Sequence, residues 1–270
     1  MVVTGASSGI GRALAELAAR RGARVVLAAR SQRVLDEIAD SLERDGAEAV
    51  AVAADVSRDD DRRRMLDVAV ERFGGLDILV NNAGVLATGH FADAGPDRLR
   101  NIMEVNFFAA AEMIRHAVPL LRRGNRPMIV NIASITGRRG IPARPEYSAS
   151  KFALIGLSEA IRAELAKDAI DVLVVNPCLV NTALEKHTLE SRARREWQDR
   201  RKIAPEVVAH ATLRAIERGK HEITVGSGGR AMLLVNRLWP RLADYFMARY
   251  VRRLYREPDA AGPHVSSQPS

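Results

Sequence analysis

A tyrosine and a lysine four residues apart, Tyr147 and Lys151, are the side chains best suited to moving a proton. On a helix that spacing puts them one turn apart on the same face. A free tyrosine ionises near pH ~10 and is a poor acid–base group at neutrality. A neighbouring ammonium favours the phenolate, so Lys151 is expected to lower the Tyr147 pKa. The phenol can then protonate a carbonyl oxygen as hydride reaches the carbon, or take the proton back in reverse. Taken alone, Tyr-x-x-x-Lys is more often a chance pattern than a site. Ser134 strengthens it, because it follows the apolar run Met128–Ile132 and can reach the same substrate oxygen.

A second kind of chemistry is written in Thr4-Gly5-Ala6-Ser7-Ser8-Gly9-Ile10-Gly11, between a short apolar run and a helical segment. A helix N-terminus there offers free N–H groups and a positive dipole end to a pyrophosphate. Gly5 permits the tight turn, Gly9 lets phosphate approach the backbone, and Gly11 lets helix and sheet pack closely; Ser7, Ser8 and Ile10 complete the loop. Dinucleotide folds that favour NAD carry an acid at the end of the second strand, to bind the ribose 2′-hydroxyl. Here that strand ends Ala28-Ala29 and is followed by Arg30 and Ser31. A guanidinium can bind a 2′-phosphate that a carboxylate would repel. NADP(H) is therefore the expected cofactor, with NAD(H) the alternative if Arg30 is only a surface arginine in an arginine-rich chain.

These groups need elements to hold them, and the chain alternates strand-like and helix-like segments. Short β-branched or apolar runs occur at Val2-Val3, 24–29, Ala49–Ala53, 76–80, Met128–Ile132, 170–175 and Glu222–Val225. Helical spacing fills the intervals, including 14–21, 35–43, 65–73, 99–121 and 152–165. That rhythm predicts an α/β fold: one Rossmann-type, doubly wound parallel sheet of about seven strands with helices on both faces. Asn81-Asn82-Ala83-Gly84 ends the fourth strand, where a tight turn can lie against the cofactor. Asn106 falls inside the long segment 99–121, an unfavourable place for a merely structural asparagine.

Together these motifs resemble the classical short-chain dehydrogenase/reductase (SDR) family, over residues 2 to about 225. The family's Thr-Gly-x-x-x-Gly-x-Gly matches Thr4 to Gly11, its Asn-Asn-Ala-Gly matches Asn81 to Gly84, and its serine and Tyr-x-x-x-Lys match Ser134, Tyr147 and Lys151. The resemblance implies that Lys151 also binds the nicotinamide ribose and that Asn106 holds a water relaying protons to Lys151. It further implies that Asp55 and Val56 contact the adenine, and that Pro177, Val180 and Thr182 border the nicotinamide. Asn82, Ala83 and Gly84 join the cofactor set. Two departures stand out. Cys178 occupies the family's usual glycine position, and only four residues precede Gly5, so the first strand is truncated or the true start lies upstream.

The expected function is hydride transfer between NADP(H) and a small-molecule carbonyl or secondary alcohol. Alternatives are a non-catalytic NADP(H)-binding or scaffold protein of the same fold, or a membrane-associated lipid- or steroid-type ketoreductase. An epimerase or dehydratase would need a larger substrate-binding portion. The formal net charge is +8, but only five of the 41 basic residues are lysines and they are spread along the chain. No nucleic-acid-binding module accompanies that charge, so no nucleic-acid partner is expected. The six histidines lack metal-ligand spacing, so no metal is expected. One cysteine, no leader-like segment and no membrane-length apolar run suggest a cytoplasmic protein, possible membrane contact being peripheral.

Residues 1–228 are read as the catalytic domain, with a polar substrate-loop excursion at 184–202. Residues 229–256 are read as an amphipathic basic helical segment, and 257–270 as a disordered tail. From 231 to 247, Leu234, Val235, Leu238, Trp239, Leu242, Tyr245 and Phe246 share one face of a helix that Pro240 is placed to kink. Asn236, Arg237, Arg241 and Asp244 lie on or near the other face, and Arg249, Arg252, Arg253 and Arg256 follow. That helix packs on its own domain, on a second subunit of a homodimer or homotetramer, or on a membrane surface.

Overall fold

The computed structural model describes residues 1–182, 184, 188–191 and 202–254. Seven strands form one parallel sheet: β1 (Val2–Thr4), β2 (Val25–Ala29), β3 (Ala49–Ala53), β4 (Ile78–Asn81), β6 (Met128–Ile132), β7 (Asp171–Pro177) and β9 (Glu222–Val225). Two shorter strands, β5 (Leu86–Thr88) and β8 (Thr188–Ser191), pair in parallel outside it. The main order is β3-β2-β1-β4-β6-β7-β9, so the chain reverses its direction of travel across the sheet between β1 and β4. In open parallel sheets that reversal opens a crevice beyond the carboxyl ends of the strands, which is where ligands bind.

The strands read as nearly unbroken apolar runs because helices cover both faces. On one side α1 (Gly9–Ala19), α2 (Gln32–Arg44) and α7 (Pro205–Glu217) bury Leu14, Leu35, Leu42, Val208 and Leu213 against Val3, Leu27 and Leu173. On the other, α3 (Asp59–Phe73), α5 (Ala109–Leu121) and α6 (Pro145–Leu165) pack Met65, Leu66, Met113 and Ile114 against Val26, Leu79, Ile129 and Val172. The expected seven-stranded, doubly covered sheet is thus the observed architecture.

Two helical segments differ from their sequence pattern. Segment 99–121 is α4 (Pro96–Met103), one π turn (Glu104–Phe108) and then α5. The segment read as a single kinked helix is instead broken into α8 (Ser227–Leu238) and α9 (Pro240–Leu254). Trp239 between them leaves helical geometry at φ −137° and ψ 69°. Proline disfavours the helical region for the residue before it and lacks the N–H that would continue the ladder. Of the excursion at 184–202, the described part is Leu184, strand β8 and Lys202. The tail at 257–270 and Arg256 lie outside the described residues.

Candidate active site

The cleft at the β1/β4 reversal has a volume of about 1060 Å³. Its floor begins at the turn after β1, where Gly5, Ser7, Ser8, Gly9 and Ile10 line the wall. Ser8 caps α1 in extended geometry, but its side chain makes no cap hydrogen bond. The first N–H groups of α1 therefore keep their capacity for an anion, as a pyrophosphate site requires. Gly11, expected among the cofactor contacts, stands behind this wall. A Cβ there would lie 2.3 Å from Asn82 Nδ2 and 2.5 Å from the Gly5 carbonyl oxygen, so its bareness lets the two turns pack together.

The turns after β1 and β4 are locked together. Thr4 Oγ1 accepts from the Asn82 and Ala83 amides at 2.9 and 3.1 Å, and Asn82 Nδ2 donates to the Thr4 and Gly5 carbonyls. Asn82, Ala83 and Gly84 thereby present one edge to the cleft. A second lock lies deeper. Asn81 Nδ2 donates to Asn131 Oδ1 (2.9 Å), and Asn131 Nδ2 donates to Ser158 Oγ on α6 (2.8 Å). Asn131 and Ser158 are completely buried, so this chain fixes α6 against β4 and β6.

Helix α6 carries Tyr147 and Lys151 into the cleft, and Ser134 faces them from the loop after β6. Ser134 caps a short 3₁₀ turn, accepting from the Thr136 amide, and its hydroxyl stands near enough to the Tyr147 phenol to favour its ionised form. Lys151 is buried and its Nζ donates to the Ile132 carbonyl at 2.9 Å, 5.7 Å from the centre of the Tyr147 ring. Burial disfavours the charged form of each group. It pushes the Tyr147 phenol up and brings Lys151 down to about 8. The expected lowering of Tyr147 by Lys151 is therefore corrected. The groups that oppose its rise are Arg144, through its charge, and Ser134, through its hydroxyl.

Asn106 sits in the π turn behind the wall, nearly inaccessible. Its Oδ1 accepts from the Val85 amide (2.8 Å), and its Nδ2 donates to the Val85 carbonyl and to Ser150 Oγ, both at 3.0 Å. Ser150 in turn donates to the Tyr147 carbonyl. Both side-chain donors of Asn106 thus end on protein acceptors. A water held by Asn106 would have to sit on its Oδ1 or on its main-chain carbonyl.

One buried ion pair holds the start of α6 in place. Arg98 on α4 donates twice to Glu146 Oε1, at 2.9 and 2.6 Å, and once to the His90 carbonyl. Glu146 immediately precedes Tyr147, and both partners are almost inaccessible. Arg98, Glu146, Arg144, Asn131 and Ser158 belong to no motif in the sequence. A polar residue inside the apolar run Met128–Ile132 was a signal for Asn131, whereas Arg98 and Glu146 are 48 residues apart with no shared motif.

At the far end of the cleft, Arg30, Ser31, Asp55 and Val56 form one wall. Arg30 is exposed, and Ser31 caps α2 without a side-chain cap hydrogen bond. The first turn of α2 contains no acid. Burial would raise the Asp55 carboxyl, but bonds from the Ser57 hydroxyl and amide, with Arg30 and Arg58 nearby, hold it below the usual range. Pro177, Cys178, Val180 and Thr182 close the opposite side. The Cys178 side chain turns toward α8: a Cβ on Gly226 would lie 2.8 Å from Cys178 Cβ, and one on Gly229 3.3 Å away. These two bare positions accommodate the side chain that replaces the usual glycine. Met232 from α8, with Phe246, Met247, Arg249 and Tyr250 from α9, completes the mouth.

The short chain dehydrogenase family profile matches residues 1–193, well over half of the chain. The chain belongs to the short-chain dehydrogenase/reductase family. Oxidoreductase YxnA of Bacillus subtilis strain 168, itself uncharacterized, is 36% identical over 99% of this chain and 76% of its own length. A short-chain dehydrogenase/reductase from Burkholderia phymatum, solved with NAD, superposes with a TM-score of 0.80 at 28% identity, covering 89% of this chain and 93% of the other. One from Burkholderia cenocepacia J2315, solved with NADP, gives 0.77 at 28% identity, covering 91% and 95%. This member of the family is thus an oxidoreductase enzyme with an NAD(P)-binding Rossmann fold. Among the described residues no helix is long and apolar enough to cross a membrane, and no cluster of ligands could hold a metal ion.

Proposed function

We propose that this short-chain dehydrogenase/reductase transfers hydride between NADP(H) and a carbonyl or secondary alcohol, with Tyr147 as its general acid and base. The observation that carries the reading is the meeting of Ser134, Tyr147 and Lys151 in the same cleft as an uncapped helix N-terminus. NADPH, when bound, supplies the hydride, and NADP⁺ accepts it in reverse. A substrate oxygen between the Ser134 and Tyr147 hydroxyls takes the phenolic proton as its carbon gains hydride. Oxidation returns the proton to Tyr147 as the carbon loses hydride. Ser134 orients the oxygen and favours the ionised phenol that remains.

Lys151 has three N–H donors when charged, of which one is given to Ile132. The other two suit the hydroxyls of a nicotinamide ribose, and Asn106 keeps this arrangement in register through Ser150 and Tyr147. The preference for NADP(H) rests on Arg30, the uncapped Ser31 and an α2 start without acid. Incubating the protein with NADPH or NADH and ketones of varied size, and following loss of reduced-cofactor absorbance, tests both parts. NADPH-dependent reduction of at least one ketone is expected. Tight cofactor binding with no turnover across the panel would refute the catalytic assignment, and faster turnover with NADH would refute the cofactor assignment.

A further inference from the structure

The apolar face of the C-terminal helices points away from the domain. Leu234, Leu238, Trp239, Tyr245 and Phe246 are each more than half exposed, and Leu242 is 44% exposed. What α8 and α9 turn inward is the other side: Gly229 and Ala243 are buried, while Asn236 and Asp244 bond to Arg139 of the domain. Six of the twelve large apolar side chains exposed among the described residues lie in this short stretch. Such clustering marks a surface that has a partner.

The charges around the patch identify that partner. Arg230, Arg237, Arg241, Arg249 and Arg252 are exposed, and none pairs with a carboxylate among the described residues. The one acid on these two helices, Asp244, is already occupied by Arg139. A second copy docked face to face by two-fold symmetry would set arginines against arginines and bury them without counter-charge. An anionic lipid surface satisfies both features, because headgroup phosphates neutralise the guanidinium groups while tryptophan, tyrosine and leucine enter the acyl boundary.

The patch also runs into the mouth of the cleft. Phe246 is both exposed on the patch and part of the lining, next to Met247, Arg249 and Tyr250. We infer that α8 and α9 dock this protein on an anionic membrane surface, with the cleft opening toward the lipid so that apolar substrates enter from the bilayer. The second half of this inference rests on the proposed carbonyl chemistry; the docking half does not.

Co-sedimentation of the full chain with phosphatidylcholine vesicles, with and without phosphatidylglycerol, tests the docking. Binding is expected to require the anionic lipid and to weaken with salt, as the Debye length falls from about 10 Å at 0.1 M to about 3 Å at 1 M. Leu238→Asp with Trp239→Asp removes the apolar insertion, and Arg237→Glu with Arg241→Glu reverses the rim charge. Neither pair lines the cleft, so both variants should keep soluble-ketone turnover while losing about tenfold or more in vesicle partitioning. Vesicle binding that is absent, or unchanged in both variants, overturns the inference. So does sedimentation-velocity analysis showing that the wild type self-associates through this face, the Asp pair disrupting the assembly while no vesicles bind. Because sedimentation is read without turnover, loss of docking and loss of the catalytic assignment remain separate results.

Discussion

The cofactor end of the cleft and its C-terminal cover are held by different means. Between the β1 and β4 turns the locking side chains are fully engaged: Thr4 with three partners, Asn82 with two carbonyls, and Asn106 with Val85 and Ser150. Arg98–Glu146 and the Asn81–Asn131–Ser158 chain add buried anchors that cross between elements. Helices α8 and α9 meet the domain through bare glycines, Ala243 and the Arg139 bonds, and expose their large side chains. The difference separates two tasks. The proposed proton and hydride transfer would need groups fixed to a fraction of an ångström, and the buried network suits that demand. A cover that, on the proposed function, admits substrate would need only to be seated, and would tolerate sparse bonding.

The contrast is broken most directly at Tyr147. Tyr147→Phe keeps the ring's packing and removes the proton, so turnover should fall about a hundred- to ten-thousand-fold while NADPH affinity stays close to wild type. Steady-state rates beside calorimetric titration measure both; a variant retaining more than half the rate would sink the mechanism.

The next largest effect is expected at the buried anchor. Glu146→Ala removes the carboxylate that takes two of the bonds of the buried Arg98 guanidinium, and breaking such a buried pair costs about 3–5 kcal/mol. Urea denaturation should show this as an earlier midpoint with an unchanged slope. A cost below about 1 kcal/mol would mean that the start of α6 relaxes, and that this end is less rigidly fixed than its bonds suggest.

Cofactor preference comes third. Arg30→Asp exchanges a phosphate partner for a carboxylate that repels phosphate and accepts ribose hydroxyls. A charge-assisted bond of about 1.5–3 kcal/mol implies a shift toward NADH of roughly tenfold or more in the kcat/KM ratio. An unmoved ratio would leave Arg30 a surface residue.

A subtler readout concerns Lys151, which burial holds at about 8. If bound ribose favours its ammonium, the complex has the higher pKa. NADPH binding then takes up a fraction of a proton at pH ~8–9, and affinity falls as pH rises through that window. Well below pH ~8 the lysine is protonated in both states and this uptake vanishes. Calorimetry in buffers of different ionisation enthalpy counts the protons; uptake that stays the same in Lys151→Met would assign it elsewhere.

The smallest change in stability is expected at the cover. Arg139→Ala should cost no more than about 1 kcal/mol, because its carboxylate partner is mostly exposed. It should nonetheless raise KM for bulky ketones more than for small ones. Equal KM changes across substrate sizes would show that α8 and α9 do not shape entry.

How much of this was legible beforehand follows from how far each signal reaches along the chain. The Thr4–Gly11 turn, Asn82 and the Tyr147/Lys151 pair lie in local patterns whose spacing carries their geometry. Strand–helix alternation predicted the sheet for the same reason. Arg98 and Glu146 meet only because α4 packs on α6, so no local pattern announces them. The spacing of Tyr147 to Lys151 predicts the wrong direction of shift because it carries no information about burial, or about Arg144 standing nearby. The apolar side of 231–247 was visible in its period. A period shows that a face exists, and the fold decides which way it looks. Pro240 was noticed, but the helix breaks outright because the restriction falls on Trp239.

The fit of Cys178 against Gly226 and Gly229 ties three positions into a single unit of sequence variation. A lineage that restored glycine at 178 would leave a side-chain-sized gap beneath α8, and one that added a methyl at 229 would crowd Cys178 and Ile135 at once. A change at any one of the three alters the packing of α8 over the cleft. Divergence of substrate range among relatives with this arrangement should therefore proceed by correlated exchanges, in which the cofactor wall and the cover change together.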